Sequence, residues 1–466
     1  MLFNSPEYAI LLSTVFLGYW LLARRRVLRL LLLIAASYFF YAWWSAYYLG
    51  LVLFTSTTDF LVGRQLRQSA TPRGRKAWLA AGVVVDLGIL CTFKYFNFFV
   101  ASLEAGLAQV GLPALGLHLD VVVPVGISFY TFESLSYIID VYRGRIEPAQ
   151  SPLEYFSFIS FFPCLVAGPI MRAPGFLPQL RALPSLTVEA GSRGLFLIAV
   201  GLIKKSVIAD LLALNLVDRV FDAPARYTSA ELLAGVYGYA LQLYCDFSAY
   251  SDIAIGSALL LGLQVPRNFD LPYRASSVAD FWRRWHISLS TWLRDYLYFS
   301  LGGTRAPYRN MLLTMLLAGL WHGAAWTFVA WGLLHGLALV VTRAFHAWRG
   351  ERAASPLTRA VLVLATFHFV CFAWIFFRAP SFGRAWEVLR GLAELTGGTA
   401  NITGGLWALI AAGFATHLVP RRLVDGTQAA AARLPAAAQA ALLVATVAAA
   451  RWLGTTAVVP FIYFQF

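Results

Sequence analysis

Of the seven histidines in this chain, His322 has the most chemical setting: Gly319-Leu320-Trp321-His322-Gly323-Ala324-Ala325-Trp326, deep in an apolar stretch. A neutral imidazole is affordable there and could accept a hydroxyl proton. A free alcohol is a weak nucleophile at neutral pH, so moving an acyl group from a thioester onto a sugar hydroxyl needs such a base. The small residues around His322 are expected to leave space beside its ring. An ionisable residue in an apolar segment is a functional candidate by default, yet a histidine hydrogen-bonded to a carbonyl accounts for the position equally well.

His286 follows Asp280-Phe281-Trp282-Arg283-Arg284-Trp285 and precedes Ile287-Ser288-Leu289-Ser290. Phe281, Trp285 and Leu289 recur every fourth residue, which predicts a helix with one apolar stripe, and Asp280 and Arg284 stand at pairing distance. Spacing favours a solvated interfacial helix over a site. Asp246 and Tyr250 share a helix face inside the apolar run 231–262. They could line a polar passage or hold a catalytic group, while a salt bridge from Asp246 to an arginine of 267–294 is at least as good a reading. Lys204 and Lys205 interrupt another apolar run and could attract an anionic donor, although snorkelling to the cytoplasmic face is simpler.

His335, in Trp331-Gly332-Leu333-Leu334-His335-Gly336, echoes the His322 setting. On one continuous helix it falls on the far side from His322, so it reads as structural unless the helix breaks between them. No role is assigned to His118, His346, His368 or His417, and Glu133 and Asp140 stay unassigned. Cys91, Cys164, Cys245 and Cys371 show no metal-ligand spacing and read as packing residues. No Gly-x-Ser-x-Gly, phosphate loop or metalloprotease motif is present.

The elements that must carry these residues are membrane helices. Hydrophobic residues make up 59% of the 466 positions and charged residues only 13%, too apolar for a soluble domain of this length. The formal charge of +14 comes in short basic blocks between apolar runs, as the positive-inside rule requires, which disfavours nucleic-acid binding. Spans are expected near 7–23, 29–47, 49–63, 78–100, 121–141, 193–217, 231–262, 358–377, 404–419 and 437–455. The first, ending in Ala23-Arg24-Arg25-Arg26, reads as a retained helix rather than a signal peptide, with the amino terminus outside. Arg64 to Lys76 is expected to form a cytoplasmic loop. Residues 156–170, broken by Pro163, Gly168 and Pro169, read as a re-entrant segment. The arginine-rich stretch Pro266 to Asn310 is expected at the cytoplasmic face. Residues 311–341, with Arg305 and Arg309 before and Arg343, Arg349 and Arg352 after, read as a hairpin dipping in from that side.

Together these residues resemble the membrane-bound O-acyltransferase (MBOAT) superfamily, and within it the bacterial alginate O-acetyltransferase branch. The resemblance runs over nearly the whole chain: Phe3-Asn4-Ser5-Pro6, Ser37-Tyr38-Phe39-Phe40-Tyr41-Ala42-Trp43, Phe161-Phe162-Pro163 with Ala167-Gly168-Pro169-Ile170, Asp246-Phe247-Ser248 with Tyr250-Ser251-Asp252, and the boxes around His286 and His322. It implies an all-α polytopic membrane protein, one integral membrane domain over 1–466 with its histidine-box core about 120–378. Roughly 11–13 membrane helices, re-entrant segments among them, would ring a central tunnel. It implies that His322 is the catalytic residue and that His286 lines the cytoplasmic side of the chamber, with Asp246, Tyr250, Arg284 and Trp321 as lining or support.

The donor implied is acetyl-CoA, with no bound cofactor and no metal. The acceptor is an extracytoplasmic polysaccharide such as alginate, reached from the bacterial inner membrane and often through a periplasmic SGNH-hydrolase-like partner. Cys164 departs from the resemblance, standing where a basic residue is expected. The rival readings are a D-alanyl transferase using an acyl carrier protein, a transporter, and a non-catalytic scaffold. A transporter would show corresponding broken helices in two halves, and the 163–169 break has no counterpart.

Overall fold

The computed structural model describes residues 1–350, 355–455 and 459–462, without the Arg349 side chain. Arg352, expected to flank the hairpin, lies outside the described residues. Those residues contain helices and no strand. Four helices among them are long and apolar enough to cross a membrane: Pro72–Gln109, Trp326–Trp348, Pro356–Arg378 and Ala436–Leu453. The chain is an all-α polytopic membrane protein, as lipid demands when backbone polar groups must be satisfied within each segment.

The chain divides into two compact units, Met1–Leu186 with Ser257–Pro266, and Thr187–Gly256 with Arg267–Phe466. In the first unit α1 (Pro6–Leu21), α2 (Arg26–Ala42), α3 (Ala46–Gln68) and α4 (Pro72–Gln109) follow with short links. The loop expected over Arg64 to Lys76 shrinks to Ser69–Thr71. Thr71 caps α4 by accepting the Gly74 N–H at 3.1 Å, and Pro72 opens the first turn, so the basic residues lie on the helix ends instead. The span expected from 121 starts only at α5 (Ile127–Tyr142), after Pro124 and Gly126 with φ 77°. α6 (Pro152–Ile159) then gives way to a non-helical, almost wholly buried stretch before α7 (Ala173–Arg181). A Cβ on Gly168 would lie 2.4 Å from the Cys164 Cα, so the break at the predicted position is a tight turn that requires glycine.

The second unit opens with α8 (Val188–Ile203), prolonged by π-helical turns at Lys204–Ala209 and Ala213–Val217. Next comes α9 (Ser229–Leu260), whose residues to Gly256 belong to this unit. The stretch after it contains α10 (Val278–Trp282) and α11 (Ile287–Trp292). The helix expected to run through Phe281, Trp285 and Leu289 is therefore interrupted. The pair α12 (Pro307–His322) and α13 (Trp326–Arg349) forms the expected hairpin, and its break comes directly after His322. α14 (Pro356–Arg378), α15 (Phe382–Ala393), α16 (Gly404–Ala415), α17 (Arg421–Ala432) and α18 (Ala436–Leu453) complete the unit, α15 and α17 being helices the apolar runs did not disclose.

Candidate active site

Every residue that follows belongs to the second unit. His322 is the last residue of α12, and Gly323 leaves the helix in an extended conformation. The glycines around it do not leave room for a substrate. A Cβ on Gly323 would stand 2.1 Å from the Phe328 ring, one on Gly319 2.3 Å from the Phe328 carbonyl oxygen, and one on Gly332 2.3 Å from the Met315 carbonyl oxygen. The small residues instead let the backbones of α12 and α13 touch, which fixes the angle at which His322 leaves α12. Three rings enclose its imidazole: Trp321 and Trp331 with centroids at 5.0 Å and Phe377 at 5.2 Å, all edge-on. The residue is 2% exposed.

His286 also ends up buried, contrary to the solvated helix that its spacing favours. The reason is local: the chain turns at Arg283–His286, and His286 takes φ 42° and ψ 55°, a left-handed conformation unusual for a non-glycine residue. The turn is braced from both sides. Arg284 Nε donates to Asp280 Oδ1 at 3.1 Å and its Nη1 to the Asp270 carbonyl at 3.3 Å, the pairing expected from spacing plus one not foreseen. The Ile287 N–H donates to the Asn268 carbonyl at 2.9 Å. Arg284 thus supports the turn from outside.

Asn268, which sequence reasoning passed over, is the hub beneath His286. Its Oδ1 accepts from the Ser288 N–H and hydroxyl at 3.2 and 2.9 Å and lies 3.2 Å from His286 Nδ1, while its Nδ2 donates to Ser251 Oγ at 3.1 Å. An oxygen can only accept, so the contact is a hydrogen bond when Nδ1 carries the proton, which leaves Nε2 with the lone pair. Burial pushes the His286 pKa down to about 3, so the ring is neutral at physiological pH. Trp321 stands between the two histidines, its ring 6.0 Å from that of His286 and 5.0 Å from that of His322. The structure brings these three expected residues together.

His335 joins the same aromatic wall. Its Nδ1 accepts from Trp282 Nε1 at 3.3 Å, and its ring lies 4.8 Å from Trp331, which also packs on His322. The break that sequence reasoning required is present at Gly323–Ala325, yet Trp331 stands between the two imidazoles.

Asp246 and Tyr250 do share a buried face of α9, but the salt bridge from Asp246 to an arginine of 267–294 is replaced by one to a lysine. Asp246 pairs with Lys205 at 2.8 Å, not with an arginine, and Lys205 also reaches Asp210 at 2.8 Å. Lys205 is 1% exposed, so it does not snorkel; two carboxylates within reach make a buried ammonium affordable. Lys204 likewise turns to Asp252 at 2.7 Å. The second Asp246 oxygen accepts the Ile462 N–H at 2.8 Å, and Tyr250 packs on Phe461 at 4.1 Å. Among the described residues no group of three or more His, Cys, Asp or Glu side chains could hold a metal.

Two buried imidazoles among aromatic rings, that of His286 neutral, are groups of the kind that can exchange a proton with a hydroxyl. Residues 149–382 match the model of the MBOAT, membrane-bound O-acyltransferase family. The "Probable alginate O-acetylase AlgI" of Pseudomonas aeruginosa is 42% identical over 87% of this chain and 78% of its own length. The peptidoglycan O-acetyltransferase of Helicobacter pylori is 37% identical over 85% and 80%. The teichoic acid D-alanyltransferase of Bacillus subtilis is 31% identical over 55% and 69%. The family match and the O-acetyltransferase relatives define a membrane acyltransferase. This chain belongs to the membrane-bound O-acyltransferase family.

Proposed function

We propose that this enzyme takes an acetyl group from cytoplasmic acetyl-CoA and moves it through the bacterial inner membrane for O-acetylation of an extracytoplasmic polysaccharide such as alginate. The observation that carries the reading is His322 in its aromatic enclosure at the break between α12 and α13, one tryptophan away from His286. His322 takes the proton of the acceptor hydroxyl as its oxygen attacks the thioester carbonyl. The carbonyl–sulfur bond breaks, and the departing thiolate takes that proton from the imidazolium. His286, held by Asn268, positions the donor from the cytoplasmic side. Asp246, Tyr250, Arg284 and Trp321 keep this geometry. A periplasmic SGNH-hydrolase-like partner completes the transfer to the polymer.

The acetyl donor is favoured over D-alanyl-carrier protein because the two O-acetyl relatives align over 85% or more of the chain and the D-alanyltransferase over 55%. The test is transfer from radiolabelled acetyl-CoA in proteoliposomes, comparing wild type with folded, inserted His322→Ala, with and without the partner. Label should leave the donor only when His322 is present. Equal turnover by His322→Ala would remove the histidine mechanism, and turnover with a charged carrier protein alone would replace the donor.

A further inference from the structure

Lys205 sits at the start of the π-helical turn Lys204–Ala209, a helix irregularity often associated with function. Its ammonium lies between Asp210 and Asp246, which are 3% and 2% exposed. One Asp246 oxygen is held by this lysine, and the other accepts the backbone N–H of Ile462, 216 residues away. That bond seats the end of the segment Val459–Ile462 inside the unit, where Phe461 is 0% and Ile462 2% exposed. Phe461 packs on Tyr250 with centroids at 4.1 Å and on Phe247 at 5.7 Å, and Phe247 meets the His286 ring edge-on at 4.6 Å. An unbroken series of contacts therefore runs from Lys205 through Asp246, Ile462, Phe461 and Phe247 to His286. No ligand of this series is a lipid-facing or solvated group, so each member has a single packed arrangement to adopt.

We infer that Lys205 is a positioning residue for acyl transfer: by orienting Asp246 it anchors Val459–Ile462, and this anchored segment is the wall that holds Phe247 against His286. The inference rests on the acyl-transfer reading for its chemistry and on the packing alone for the anchoring, so the two can be tested apart. A carboxylate held on one oxygen by an ammonium presents the other in a fixed direction, which a neutral or freely rotating group would not do. Loss of the lysine leaves Asp210 and Asp246 buried without their shared cation and frees the Asp246 carboxylate to turn away from the Ile462 N–H, so the segment loosens without losing any residue that touches a substrate.

The anchoring is tested by thiol labelling. Ile462→Cys, which keeps the N–H, is placed in a Cys91→Ser background and exposed to a water-soluble maleimide. Labelling is expected to be slow with Lys205 and at least about tenfold faster with Lys205→Met, as local opening becomes more frequent. The catalytic arm is a double-mutant cycle in proteoliposomes. Lys205→Met and Phe461→Ala should each lower kcat by about ten- to a hundredfold with KM for the donor unchanged, a misplacement effect. The double variant should lose no more than the worse single, because both act through one segment. Lys205→Arg should restore most of kcat.

Unchanged labelling in Lys205→Met, or losses that multiply in the double variant, would overturn the inference. Should Lys205→Met fail to insert, Lys205→Met/Asp210→Asn, which restores the net charge, takes its place with the same expectations. A wild type inactive with every donor would sink the acetyl-transfer reading, while the labelling result would still decide the anchoring.

Discussion

Each unit buries a pair of carboxyls among helices, and the two pairs are managed in opposite ways. In the second unit Asp210 and Asp246 share Lys205. In the first, Asp59 of α3 and Asp86 of α4 are 0% and 1% exposed and lie beside each other, near Ser134 and Tyr155. Among the described residues neither has a lysine or arginine partner. A low-dielectric interior tolerates two carboxylates with an ammonium between them, but without a cation it tolerates them only as acids that keep a proton. The first arrangement is an ionic contact centred on one lysine; the second has no cation among its described neighbours.

Removing the cation should separate the two most sharply. Lys205→Met is expected to destabilise the detergent-solubilised protein by about 3–5 kcal/mol in thermal unfolding, the usual effect of stranding buried charge. Adding Asp210→Asn should recover part of the loss. If Lys205→Met unfolds like wild type, the triad is not a fixed ionic centre.

His286 extends the comparison to a buried base. Its pKa is lowered from 6.5 to about 3 by burial, so the folded state favours the neutral ring. The stability this contributes is complete above the unfolded value and drains away as pH falls from there towards the folded one. Wild type should therefore lose stability between about pH 6 and 4, and His286→Gln should flatten that slope. An identical slope in the variant would place the acid sensitivity elsewhere.

Asp59→Asn keeps the shape of a side chain that has no cation partner among the described residues, so it should shift stability by less than about 1.5 kcal/mol, as volume-conserving swaps do. A loss as large as that of Lys205→Met would mean that Asp59 is charged and the comparison is wrong. The smallest effect is expected at the surface. Burial alone would raise the Asp270 pKa, but the hydrogen bond from Arg421 and the charges of Arg267, Arg421 and Arg284 hold it below the usual carboxylate value. Arg421 is well exposed, so Arg421→Ala should change stability by less than about 1 kcal/mol. The stabilisation is present above the ordinary carboxylate pKa and is lost as pH falls through the lowered one, so the variant and wild type should converge only in strong acid. Convergence near neutral pH would argue against the ion pair.

The candidate site was only half readable from the chain. The Trp321-His322-Gly323 box stood out because a histidine in an apolar run is rare, but the flanking small residues read as substrate space and did not reveal the break that follows it. Asn268 and Phe461 carried no such signal: one is a lone amide in a polar stretch, the other an ordinary aromatic. The regular spacing of Phe281, Trp285 and Leu289 misled, because the backbone bonds from Asp270 and Ile287 hold Arg284 and His286 in a turn that periodicity cannot express. Lys205 misled for a related reason. A lysine that interrupts an apolar run reads as snorkelling until its two carboxylate partners are seen.

By itself the sequence determined the helical membrane class, the approximate spans, the hairpin of α12 and α13 and the family, since each depends on local composition, periodicity or contiguous motifs. Only the tertiary structure decided that glycines at 319, 323 and 332 serve backbone contact and not substrate space, that Lys205 meets Asp210 and Asp246, and that Ile462 reaches Asp246. The physical reason is that periodicity records how polar each face of a helix is. Which partner meets a buried charge is settled by the close packing of segments far apart in the chain.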